Sequence, residues 1–315
     1  MSELITPNDG DRWLAATTSE YPEPGLYSHI PASVYHRHWK HPSQSLMKPA
    51  IMRTPAHARY EMDHPRESTP SMLMGTALHA LVLEPDHFDD LVQIGPGKTR
   101  NEGWRNQQAA NPHIALLKEE EMAEVRVMAQ RVVNHPDVQN LWRSKMNSAT
   151  EVSVVADLEG RYPAALDPDM TPFTLRCKCR LDWWVRYLAW NVDLKTIANA
   201  AEDEFNRTIH QRGYHTQGAF YESMMAAHGH PVRQTVFVLV ENEAPFEPDV
   251  RPLGPEAWDR GRVLAKKMMA LWAWCTKRNE YPGFPAGLAT VANLPRWAMS
   301  TTDAISAWEE LLRDE

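Results

Sequence analysis

The stretch Arg176–Thr196, RCKCRLDWWVRYLAWNVDLKT, decides how the chain is read. β-Branched and aromatic residues alternate with polar ones on both sides of Arg186–Ala189, which predicts two strands joined by a turn there. With a side-chain period of two, Arg176, Lys178, Arg180 and Asp182 share one face of the first strand, and Cys177, Cys179, Leu181 and Trp183 share the other. On the second strand Asn191, Asp193 and Lys195 oppose Val192 and Leu194. Two carboxylates and one lysine therefore converge on one side of a sheet.

Two readings of that face stand side by side. One is a surface hairpin with its charges turned to water, since Asp-x-Lys is a common tripeptide. The other is a metal site for phosphodiester cleavage. Hard cations such as Mg2+ take oxygen ligands and keep several waters, so Asp182 and Asp193 suffice to hold one ion against a phosphate. Such an ion acidifies a water and neutralises charge building on the phosphate. Lys195, one pleat along, orients that water or stabilises the pentavalent state.

Further motifs narrow the choice by their order and spacing. Asp182, followed eleven residues later by Asp193-Leu194-Lys195-Thr196, resembles the signature of the PD-(D/E)xK nuclease superfamily, with Leu181 where the family often has proline. Gly75–Pro85, GTALHALVLEP, resembles the Gly-Thr-x-x-His segment of RecB-type nucleases, and Gln217–Tyr221, QGAFY, resembles their Gln-x-x-x-Tyr helix. Pro24–Tyr27, Cys177–Arg180 and Leu294–Trp297 look like the nuclease domain of the exodeoxyribonuclease VIII (RecE-type) family. The resemblance runs over residues 23–298.

It implies an α/β fold with a central mixed β-sheet flanked by helices, the restriction-endonuclease-like core. It also implies an exonuclease that digests linear double-stranded DNA from 5′ to 3′ and leaves 3′ single-stranded tails. A single-strand annealing protein or recombinase would receive those tails, in a phage or prophage setting. In the implied site His79, Asp182, Asp193 and the Leu194 carbonyl ligate Mg2+, for which Mn2+ substitutes. Lys195 assists the nucleophile, and Gln217 and Tyr221 position substrate. Glu151 stands where related nucleases often carry a carboxylate, either behind the ligands or on a second ion, with an exposed strand-end glutamate as the plain alternative. An endonuclease, a 3′-acting nuclease and a catalytically silent DNA-end clamp remain open on the same fold.

Charge bears on how DNA is held. The 33 basic and 41 acidic residues give a formal charge of −8, so a protein that simply coats nucleic acid is disfavoured and positive charge must be concentrated locally. A groove or channel lined by Arg176, Lys178, Arg180 and Arg212, with Tyr214 on the Gln217 face, meets that need. The resemblance implies a toroidal homo-oligomer, four subunits favoured, with an acidic exterior and a basic channel. The three cysteines are too few for a four-cysteine iron–sulfur cluster and read as core residues. No apolar run reaches membrane-span length and no export signal opens the chain, so a cytoplasmic protein is expected.

The rest of the chain divides into residues 1–22, expected as a flexible tail, and 23–315, expected as a single domain. His36, His38 and His41 fit no ligand spacing and read as solvated. Short helices are expected from Ser43 and over Pro55–Met62, and a buried helix over Ser71–Leu83 with His79 inside. Residues 95–112 read as a long loop whose Lys98, Arg100, Trp104 and Arg105 grip a DNA end, or as plain surface loop. Helix is expected over Ile114–Trp142, Ala200–Met225 with a break near Gly213, Pro255–Arg278 and Thr302–Leu312, and strand from Glu151 and over Val232–Val240. A polar turn fills Asp157–Pro172. No Walker-type phosphate loop or Gly-x-Ser-x-Gly elbow is present.

Overall fold

The hairpin expected around Arg186 exists, and it lies at the centre of a larger sheet. The computed structural model describes residues 13–14, 19–28, 30–65, 68–111, 114–142 and 148–284. In chain order, strands β1 (Trp13–Leu14) and β2 (Gly25–Tyr27) precede helices α1 (Gln44–Met52), α2 (Pro55–Asp63) and α3 (Pro70–Leu83). Next come α4 (Phe88–Leu91), β3 (Val92–Ile94), α5 (Glu102–Ala110), β4 (Ala115–Leu117), α6 (Glu119–Asn134) and α7 (Pro136–Trp142). The second half holds β5 (Ser148–Arg161), β6 (Pro172–Val185), β7 (Trp190–Ile197), α8 (Glu202–Arg212), α9 (Tyr214–Ala226), β8 (Gln234–Glu241), β9 (Pro248–Pro252) and α10 (Pro255–Arg278).

Among the described residues, seven strands form one mixed sheet in the order β1-β2-β5-β6-β7-β8-β9, and β3 and β4 form a separate parallel pair. β5, β6 and β7 are antiparallel neighbours, while β7 and β8 run parallel and are joined by the α8–α9 crossover. Helices cover both faces. One core gathers Met47, Ala58, Val154, Cys179, Phe220, Met224 and Trp272. The other gathers Leu78, Val125, Met128, Trp183, Val192, Leu194 and Val238. The α/β architecture expected from the sequence is therefore present.

Local chemistry sets the helix starts. Ser43, Thr54 and Thr69 each accept a hydrogen bond from the backbone N–H three residues on, and Pro55 and Pro70 occupy first-turn positions that need no N–H partner. The break expected near Gly213 is real: this residue has φ of 69° and separates α8 from α9.

Several expectations are corrected. Trp13–Leu14 of the presumed tail pair with Leu26–Tyr27, because an edge strand offers them unpaired backbone groups. Residues 95–111 are not an open loop. Asn101 caps α5 and Trp104 is buried against Gly95, where an added Cβ would lie 2.5 Å from the indole. Arg100 is committed to Glu121 by two hydrogen bonds, so the DNA-gripping role read for Trp104 and Arg100 does not fit. Ile114–Trp142 begins with a strand before its helices. His41 is buried with its ring Nε2 2.9 Å from the Pro22 carbonyl, rather than solvated. The expected helix Thr302–Leu312 and the Leu294–Trp297 motif lie outside the described residues. All three cysteines are free and buried, as core packing requires. No described helix is long and apolar enough to cross a membrane.

α10 packs hard on α9 at Gly261, where a Cβ would stand 2.1 Å from the His215 carbonyl oxygen. Backbone cannot yield as a flexible side chain does, so Gly261→Ala is expected to cost about 3 kcal/mol or more of stability. Chemical denaturation measures it, and an unchanged midpoint would show that the two helices separate freely.

Candidate metal centre

β6 and β7 pair over only three positions, Trp183↔Val192 to Val185↔Trp190, and then diverge while β7 continues beside β8. Asp182 and Asp193 are the first residues beyond the last pair, on opposite arms of this fork. Asp182 Oδ2 accepts a hydrogen bond from the Leu194 N–H at 2.9 Å. α3 lies across the fork, and His79 Nε2 stands 2.8 Å from the Leu194 carbonyl oxygen. The backbone of one residue, Leu194, is thus held at both its N–H and its carbonyl by the residues singled out as ligands.

The other nitrogen of His79 faces acid. Its Nδ1 lies 3.6 Å from Asp182 Oδ2 and 3.9 Å from Glu151 Oε1, and one ligand atom from each of these three residues lies within 4.8 Å of the others. A Nε2–H donated to Leu194 leaves the Nδ1 lone pair for a cation, the arrangement that second partners impose on metal-binding histidines. Burial opposes the charged imidazolium, but the carboxylates of Asp182 and Glu151 outweigh it and push His79 up to about 9.

Asp193 and Lys195 form the second half of the site. Asp193 is 1 % exposed, and its Oδ1 accepts from Gln217 Nε2 at 2.9 Å, while the same amide lies 3.3 Å from the Tyr221 hydroxyl. Its Oδ2 is ion-paired with Lys195 Nζ at 2.5 Å. Burial raises the Asp193 carboxyl to about 6, Lys195 opposing and Asp182 adding to the rise. Burial works against the Lys195 ammonium too, yet Asp193 and Asp182 hold it charged, above the Tyr214 ring at 5.3 Å. Two carboxylates and one imidazole lone pair, from Asp182, Glu151 and His79, fit a divalent cation, while Asp193 stands outside that group with its Oδ2 paired to Lys195.

The ladder between β5 and β6 is irregular at this point. Thr150↔Trp183 and Val152↔Leu181 pair, whereas Glu151 and Asp182 between them do not, and Glu151 has φ of 50°. Side chains change faces across the irregularity. Leu181 packs in one core with Trp184, and Trp183 packs in the other, so the expectation that Leu181 and Trp183 share a face fails. The left-handed residue, Glu151, lies on β5 opposite Asp182, and the alternation of side chains on β6 is interrupted at the same point of the ladder.

The three basic residues expected to meet DNA from β6 point elsewhere. Arg176 pairs with Asp157 and Glu23. Lys178 is buried and donates to the carbonyls of Tyr35 and Trp39. Arg180 is buried too, and serves Ser153, the Ile30 carbonyl and Glu151. Their charges are spent inside the protein, so the DNA-contact reading is withdrawn for Lys178 and Arg180 and does not suit Arg176. Arg212 is exposed, and Tyr214 is half-buried beside Lys195. Sequence reasoning missed Lys48, whose Nζ donates to the Arg212 carbonyl at 3.0 Å. Its ordinary pKa is lowered by burial and by the charges of Arg212 and Lys195. Its only sequence signal was a lysine one helical turn beyond the Ser43 cap.

A family model described as "PDDEXK-like domain of unknown function (DUF3799)" matches residues 43–292. The chain belongs to this family. The matched span contains the fork, His79, Glu151, Lys195 and the Gln217–Tyr221 helix. Among solved structures, a proposed exonuclease from Eubacterium rectale is similar at 14 % identity and a TM-score of 0.54, covering 88 % of this chain and 99 % of that one. At that identity the likeness concerns the PDDEXK-like fold alone. A second structure, SSO0001, matches at 11 % identity and a TM-score of 0.27, over 74 % of this chain and 94 % of that one, too loosely to argue from. The comparison with curated proteins finds no match.

Proposed function

We propose that this PDDEXK-like protein is a divalent-metal-dependent exodeoxyribonuclease that digests linear double-stranded DNA from 5′ to 3′ and leaves 3′ single-stranded tails. The observation that carries the reading is the convergence of His79, Glu151 and Asp182 on one side of the β6–β7 fork with the Asp193–Lys195 pair on the other. The similar Eubacterium rectale structure is described as a proposed exonuclease, which agrees with the nuclease part of this reading.

His79, Asp182 and Glu151 would hold the cation, Mg2+ with Mn2+ accepted, with Asp193 as the further carboxylate across the fork, while the Leu194 carbonyl read as a ligand from the sequence is engaged by His79 Nε2. A divalent ion supplies Lewis-acid polarisation of a phosphate oxygen and neutralises charge there. The protein's own groups do the rest. Lys195, kept cationic by Asp193, donates a hydrogen bond to the attacking water or to a non-bridging phosphate oxygen. Gln217 fixes the Asp193 carboxylate, and Tyr221 fixes Gln217. Lys48 and Arg212, with Tyr214, supply backbone contacts for flanking phosphates.

A ring of four subunits around the duplex completes the proposal, acting in the cytoplasm with a single-strand annealing protein or recombinase. A chain with formal charge −8 whose β6 cations are internally paired retains a polyanion better by enclosing it than by surface affinity. The test digests one plasmid in covalently closed and linearised forms, with separate 5′ and 3′ labels, alongside light scattering of the protein. Loss of linear DNA alone, 5′ label first, from a tetramer is expected. Closed circles cut as fast as linear DNA would make the protein an endonuclease, and a monomer in scattering would remove the ring.

A further inference from the structure

Arg180 was withdrawn above as a DNA contact, and its surroundings assign it other work. It lies two residues before Asp182 on β6 and pairs across the ladder with Ser153. Each part of its guanidinium is placed. Nε donates to Ser153 Oγ at 3.0 Å, Nη2 donates to the Ile30 carbonyl at 2.7 Å, and the plane lies over the Tyr35 ring at 4.5 Å. The remaining nitrogen, Nη1, reaches Glu151 Oε2 at 3.5 Å. The other oxygen of the same carboxylate, Oε1, is the one near His79 Nδ1.

The two oxygens of Glu151 are thereby divided, one to Arg180 and one to the metal group. If Glu151 only neutralised a buried arginine, a residue in ordinary strand geometry would serve. Instead the backbone at Glu151 takes a left-handed conformation, φ 50°, within a ladder whose register is unbroken on either side. Non-glycine residues adopt that region at a cost, and such strain persists where the surroundings over-determine it. The surroundings here are an arginine already locked by three other partners.

We propose that Arg180 is a positioning residue: it holds Glu151 in its left-handed conformation with Oε1 presented to His79 and Asp182, so that metal affinity depends on a residue that touches no metal. This rests on the metal-centre reading above. The planar fork matters as well as the charge, because lysine cannot serve Ser153, Ile30 and Glu151 from one atom in the same directions.

The test is a double-mutant cycle on Mn2+ affinity, measured by calorimetry or by the spin-resonance signal of free Mn2+, with thermal melts run in parallel. Arg180→Gln is expected to weaken Mn2+ binding about 10- to 100-fold, the range for residues that orient a ligand. Arg180→Lys, the milder change should Arg180→Gln not fold, is expected to lie between that and the unaltered protein. In a Glu151→Gln background the further effect of either Arg180 change should shrink below about twofold, since residues acting through one another are not additive. A purely structural arginine would give the same loss in both backgrounds, which overturns the proposal, as does unaltered Mn2+ affinity in the folded single variants. If the unaltered protein binds no Mn2+, the metal-centre reading falls and this inference with it. Binding by the unaltered protein with no effect of Arg180 removes this inference alone.

Discussion

Asp182→Asn and Asp193→Asn are each expected to lower nuclease activity on linear duplex by about 10^3-fold or more, in the range of single catalytic-group deletions. Asparagine isolates charge from shape. Its amide oxygen at position 182 still accepts the Leu194 N–H, and at 193 it still accepts from Gln217, so the fork keeps its hydrogen bonds. What is lost is the negative charge that a hard cation requires. The two variants should differ in stability. Asp193 is the buried counter-ion of Lys195, and its removal leaves an ammonium with little solvent, whereas Asp182 sits at a more open position beside His79. Digestion of end-labelled DNA in Mg2+, with a thermal melt of each variant, measures both effects. Activity of either folded variant within about tenfold of the unaltered protein would falsify the assignment of the metal centre.

Lys195→Arg should be the next largest effect, a fall in kcat on the order of 10^2-fold with KM changed far less, the scale of a lost proton-handling or charge-stabilising group. The ammonium is wedged between Asp193 Oδ2 and the Tyr214 ring. A guanidinium keeps the charge that attracts DNA but is larger and planar, so it cannot occupy that wedge in the same pose. Binding of duplex in Ca2+, where cleavage is suppressed, and steady-state turnover in Mg2+ separate the two contributions. Equal losses in binding and turnover would make Lys195 a phosphate anchor, with no part in the chemical step.

Much of the fold was legible because its signals are local. The Ser43, Thr54 and Thr69 caps, the glycine at 213 and the uninterrupted α10 pattern each depend on a few neighbouring residues, and each lies where local chemistry puts it. The longer errors came from segments whose state depends on distant partners. Trp104 reads as an exposed aromatic in a polar stretch until α5 forms and lays its indole against Gly95. Lys178 and Arg180 read as a solvated basic stripe until the carbonyls of Ile30, Tyr35 and Trp39, some 140 residues earlier, accept their hydrogen bonds.

The sequence by itself determined the kind of site: two carboxylates and a lysine on neighbouring strands, a histidine on an apolar helix, and an amide and a phenol four residues apart on another. Residue type and spacing carry that information because strand and helix periods are fixed by backbone geometry. Only the tertiary structure decided which of these groups meet. The β6–β7 fork sets Asp182 and Asp193 on separate arms, α3 brings His79 onto the Leu194 peptide, and the left-handed backbone at Glu151 turns its carboxylate towards the same group. These are contacts between elements far apart in the chain, settled by how helices and strands pack, and no local pattern encodes them.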